Sequence, residues 1–81
     1  MKEKFVFFPN PFVSKTVIMS PIELKNTQLK VYDMMGREIK KIKNMSGKEI
    51  IVKRDDMTNG IYFYKITQYN IVITTGKLIF E

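Results

Sequence analysis

Ser14, Ser20 and Ser46 are the serines of this sequence, and a serine attacks a carbonyl only when a base stands ready to take its proton. The chain has no histidine and no cysteine. The customary base of a hydrolytic site and the customary ligands of zinc are therefore both missing, so neither catalysis nor a metal centre nor a cofactor is expected. Asp55 and Asp56 form the one adjacent pair of carboxylates that could offer oxygens to calcium. No Asp-x-Asp-x-Asp series accompanies them, and the plainer reading is a solvated loop whose carboxylates accept bonds from nearby backbone amides. Lys40, Lys41, Lys43, Lys48, Lys53 and Arg54 could gather on two neighbouring strands and attract an anionic partner. Lysine is also the usual protection of an edge strand, and that reading leads. Tyr62-Phe63-Tyr64-Lys65 interleaves rings with a cation, as single-stranded nucleic acid sites do. Rings in so strongly β-forming a run belong in a core instead, and no nucleic-acid partner is expected. Gly36 and Gly60 stand too far apart for a phosphate-binding loop and read as turn residues.

The totals narrow the class further. Eighty-one residues make one domain with one modest core, burying about 60% of the surface of the unfolded chain. Without disulfides or metal, packing must hold it together. The net charge is +6, from fourteen Lys and Arg against eight Asp and Glu. The apolar run near the start, Phe5 to Phe8, is too short for a signal peptide or a membrane span. If this is a surface protein, the expectation is that residues 1–81 are one domain at the tail of a longer precursor, whose signal peptide and cargo lie upstream.

The clearest element is the stretch from Leu29 to Ile39. Leu29 and Val31 alternate with Lys30 and Tyr32, the period of a half-buried strand. Asp33 opens a turn by accepting downstream amide protons, and Gly36 supplies the left-handed residue that closes it. Before this hairpin, Phe5 to Phe8 reads as a first strand stopped by Pro9-Asn10-Pro11, where two rings remove two backbone donors. Phe12 follows as an apolar plug, and Lys15 to Met19 is a second strand closed by Ser20-Pro21. Residues 22–27 read as a connection. The return strand of the hairpin runs to about Lys43, and the three-residue step from Ile39 to Ile42 predicts a bulge or an edge position. Asn44-Met45-Ser46-Gly47 is a turn into a strand around Ile50-Ile51-Val52, and residues 55–60 make a loop. From Ile61 to Gln68, Tyr62, Tyr64 and Ile66 share the inward face, their hydroxyls reaching backbone or the rim of the core. Tyr69-Asn70 turns the chain into a last strand, Ile71 to Phe80, bent near Gly76. No helical periodicity competes. About seven short strands with turn signals between them predict an all-β fold, a small antiparallel immunoglobulin-like β-sandwich.

Val31-Tyr32-Asp33, two apolar residues, then Gly36-Arg37-Glu38-Ile39 resembles the hairpin of the C-terminal sorting domains of the type IX secretion system, also called the Por secretion system. Three other blocks agree in order: Phe8-Pro9-Asn10-Pro11-Phe12, Asn59-Gly60-Ile61-Tyr62-Phe63-Tyr64, and Gly76-Lys77-Leu78-Ile79-Phe80-Glu81. Met34-Met35 stands where relatives more often carry a leucine pair. The resemblance implies a signal that directs an upstream cargo through the periplasm and across the outer membrane to the cell surface or medium. It implies as partners the type IX machinery and a surface sortase-like enzyme that cleaves upstream of Phe5. Carried over residue by residue, it points to Pro9, Asn10, Pro11, Gly36, Arg37, Gly60, Tyr62, Lys77, Leu78, Ile79 and Glu81 as recognition residues, with the last strand as the part that is read. An open edge also leaves room for a weak homodimer. The alternatives are an adhesive or carbohydrate-binding β-sandwich, favoured if Tyr32, Tyr62 and Tyr69 lie exposed on one face, and a nucleic-acid-binding β domain whose affinity falls steeply with salt.

Overall fold

The computed structural model describes residues 4–11 and 14–81, and Phe12, the expected plug, lies outside them. Five strands follow one another in the chain: β1 (Val6–Phe8), β2 (Lys15–Tyr32), β3 (Glu38–Lys53), β4 (Gly60–Gln68) and β5 (Ile71–Phe80). Every pairing is antiparallel. The hydrogen-bonded order is β1-β2-β4-β5, and β3 pairs with β2. No helix among the described residues is long and apolar enough to cross a membrane.

The all-β antiparallel expectation holds, but the count of seven strands is corrected to five, in one hydrogen-bonded sheet. The difference has one cause. Residues 20–27 and 44–47 lie within the 18-residue β2 and the 16-residue β3, where turns or connections were expected. These stretches face each other, with Leu24 opposite Gly47 and Thr27 opposite Met45, and the register shifts on either side of both pairs. Asn26 (φ 47°), Asn44 (φ 57°) and Gly47 (φ 91°) take left-handed backbone there, which bends a strand without ending it. Pro21 falls between the register positions Met19 and Leu24, so its missing N–H removes no bond from the β2–β3 ladder. Glu38 pairs with Tyr32 and Lys40 with Val31, leaving Ile39 as the extra residue of a bulge on a strand that is also a sheet edge.

Along the side of β2 away from β3, β1 pairs with residues 17–19 and β4 with residues 27–32. The bend between these two stations folds the sheet over on itself. Phe7 of β1 then meets Tyr64 of β4, ring centroids 4.2 Å apart. Inside the curl lie Ile18, Leu24, Leu29, Val31, Val52, Ile66 and Leu78, all fully buried. Tyr62 and Tyr64 also point inward as the alternation required, and burial pushes the Tyr64 phenol above its usual pKa of 10.0. Two buried threonines are satisfied locally, Thr16 donating to the Pro9 carbonyl at 2.8 Å and Thr27 to that of Lys25 at 3.0 Å. Among the described residues no buried side-chain nitrogen or oxygen lacks a partner.

Candidate functional site

The chain's special turns collect at one end of this sheet. The first is residues 9–11, where both X-Pro bonds, Phe8-Pro9 and Asn10-Pro11, are cis. They carry Asn10 across to the outer edge of β5. There its carboxamide Nδ2 donates to the Lys77 carbonyl at 3.2 Å, while the Ile79 N–H donates to its Oδ1 at 3.1 Å. A carboxamide offers the same donor and acceptor as a peptide group, so Asn10 occupies the edge as one residue of a neighbouring strand would. The curled sheet is thereby tied from the β1 end to its last strand.

The second is the turn between β2 and β3. Asp33 Oδ1 accepts the backbone N–H groups of Met35 (2.9 Å) and Arg37 (3.0 Å), and Oδ2 accepts Arg37 Nε at 2.8 Å. The Gly36 N–H closes onto the Asp33 carbonyl at 3.0 Å with Gly36 at φ 85°, the left-handed geometry its position required. These bonds, led by the one from the Arg37 backbone, hold the Asp33 carboxyl below its ordinary 3.8. Arg37 itself remains exposed, as do Met34 and Met35.

The third is the loop from residue 54 to residue 60. Arg54 Nε donates to the Met57 carbonyl at 2.7 Å, one terminal nitrogen donates to the main-chain oxygen of Glu81 at 2.6 Å, and the other to Asn59 Oδ1. Its guanidinium carbon sits 5.7 Å from the centre of the Phe80 ring. Phe80 stacks in turn on Tyr62 at 4.6 Å, and the Tyr62 hydroxyl donates to the Thr58 carbonyl at 2.8 Å. A cleft of about 380 Å³ separates this loop from the Asp33 turn, lined among others by Asp33, Arg37, Arg54, Asp55, Thr58 and Tyr62.

The structure therefore brings the expected recognition residues into one neighbourhood. Asn10, between Pro9 and Pro11, bonds to Lys77 and Ile79; Ile61 and Tyr62 pair across the ladder with Ile79 and Leu78; Arg37 and Gly60 border the cleft region, and Gly36 precedes Arg37 in the Asp33 turn. Their roles differ. Leu78 and Tyr62 are buried and build the core, whereas Asn10, Arg37, Lys77 and Glu81 are exposed. Asp55 is spent on an ion pair with Lys40, and Lys41 reaches Glu38 at 4.0 Å. Arg54, read from the sequence as one cation of a basic patch, is instead the anchor of the chain's last residues. A compositional signal pointed to it: the fourteen basic residues include only two arginines, Arg37 and Arg54, and Arg54 uses Nε and both terminal nitrogens in a forked contact that lysine cannot make.

The family model of the secretion system C-terminal sorting domain matches residues 6–81. No curated protein matches the sequence. The matched span takes in all five strands and every block gathered at this end of the sheet, from Asn10 to the β5 edge and Arg54. The chain belongs to the secretion system C-terminal sorting domain family, whose members are C-terminal signals for type IX secretion.

Proposed function

We propose that this domain is a non-catalytic handle, carried behind a cargo in the same precursor, that passes through the periplasm and presents its last strand to the type IX machinery. A sortase-like enzyme at the cell surface then cuts upstream of β1 and frees the cargo. The two halves of the bent sheet correspond, in this reading, to the two layers of an immunoglobulin-like sandwich. The observation that carries the proposal is the contact between Asn10 and the backbone of Lys77 and Ile79, because it joins the first and last of the family's sequence blocks around the outer edge of one strand. Membership of the sorting family supplies the export route.

The test is a secretion assay. Residues 1–81 are fused behind a reporter with a periplasmic signal peptide, in cells with a working type IX system and in matched cells lacking the translocon. The proposal expects surface or medium reporter only in the first strain. A folded reporter that stays in the periplasm of both strains refutes it. The carbohydrate-binding alternative loses its favouring feature, since Tyr62 is buried beneath Phe80 while Tyr69 is exposed at the far turn.

A further inference from the structure

The outer edges of this sheet are unlike one another. β3 carries Lys40, Lys41, Lys43, Lys48 and Lys53 along its length, the usual protection against pairing with another chain. The outer edge of β5 has none of this from Ile71 to Gly76, a run of three β-branched aliphatic residues, two threonines and a glycine without a charge. Ile71 and Val72 are 65% and 50% exposed. Asn10 covers the backbone at residues 77 and 79 only. In an antiparallel strand the residues of one parity turn both backbone groups to the same edge, so Thr75, with Lys77 and Ile79, faces outward. The register shift in the β4–β5 ladder falls between Val72 and Thr74, making Ile73 a bulge within this stretch and leaving the parity of Thr75, Lys77 and Ile79 intact. Among the described residues nothing bonds to the outer edge between residues 71 and 75.

We infer that residues 71–75 of β5 form a docking edge, onto which the secretion machinery adds an extended segment of its own that carries a carboxylate. This rests on the reading of the chain as a sorting signal and moves the recognised stretch away from residues 77–79, which Asn10 closes. The carboxylate follows from the neighbouring surface. Tyr32, Phe63, Lys65, Thr75 and Lys77 line a groove of about 540 Å³ beside the open edge, and Lys65 and Lys77 give it positive charge. A second copy of this chain does not fit as well. Its own residues 69–77 bring no Asp or Glu to the groove. Backbone bonds to the edge supply affinity, and the side chains flanking it supply selectivity.

The test substitutes the edge within the full domain fused to the exported reporter. Thr75→Pro removes an outward N–H and sets a ring on the edge without touching the β4 ladder, Thr75→Val keeps the N–H, and Val72→Lys adds a charge. Thermal unfolding establishes that each variant folds; if Thr75→Pro does not, Val72→Lys decides. The expected result is unchanged export for Thr75→Val and a fall of about tenfold for the other two, the factor that one or two lost hydrogen bonds carry. Export of folded Thr75→Pro and Val72→Lys at the parent level overturns the inference while leaving the sorting reading intact. So does a parent dimer that Thr75→Pro dissociates without loss of export. A parent fusion that is never exported overturns the sorting reading itself, and this inference with it.

Discussion

Replacing Gly76 with alanine tests how tightly the last strand is packed. A Cβ built on Gly76 would lie 2.5 Å from the Tyr64 hydroxyl oxygen and 2.6 Å from two carbons of its ring, distances that real side chains do not tolerate. Tyr64 is opposite Gly76 in the ladder, and its ring also packs against Phe7, centroids 4.2 Å apart, which limits its retreat. Gly76 has an ordinary extended backbone, so alanine there gains about 0.4–1 kcal/mol by restricting the unfolded chain. Overpacking costs about 1–3 kcal/mol and should win. The net loss is about 1–2 kcal/mol, a fall of roughly 4–16 °C in Tm for a domain this size. Urea or thermal unfolding of Gly76→Ala, Tyr64→Leu and the double variant makes the measurement. If the clash is the cause, the double variant is more stable than the sum of the single losses implies, by about 1 kcal/mol or more. A Gly76→Ala domain as stable as the parent, or strictly additive losses, would show that the ring does not hold this position as described.

Three further outcomes follow from the cluster at the end of the sheet. Asn10→Ala loses both bonds to the β5 edge, at about 0.5–1 kcal/mol each in this exposed setting, whereas Asn10→Asp keeps an acceptor for the Ile79 N–H and loses less; chemical denaturation ranks the two. Arg54→Lys lowers stability by about 1–2 kcal/mol and raises hydrogen exchange at residues 78–81, because a single ammonium cannot serve Met57, Asn59 and Glu81 together. Asp33 has a lowered carboxyl pKa in the fold, so its contribution is complete above the ordinary value near 3.8 and is lost as pH falls through the lower folded value; Asp33→Asn should flatten that acid limb in Tm recorded between about pH 6 and pH 2.

What the sequence disclosed, and what it did not, divides by the distance over which each residue acts. The Asp33 turn was legible because its donors and acceptor lie within five residues, and Gly36 has one conformational reason to be where it is. The inward set of Tyr62, Tyr64 and Ile66 was legible because Lys65 marked the other face. Asn26, Asn44 and Gly47 lie in stretches read as a connection and a turn, yet their left-handed backbone bends β2 and β3 where the reading ended them. A residue type cannot tell a bend from an end, because that depends on whether the partner strand continues opposite it. Long-range polar contacts were illegible for the same reason. Asn10 meets Ile79 across 69 positions and Arg54 meets Glu81 across 27, and neither pair leaves a periodic trace. The family's sequence blocks nevertheless marked the participants, Asn10, Lys77, Ile79 and Glu81, without saying what joined them. In this domain the separated blocks gain their physical sense as one construction: an amide side chain and a guanidinium tie down the end of the last strand, and its uncharged first half stays open for a partner.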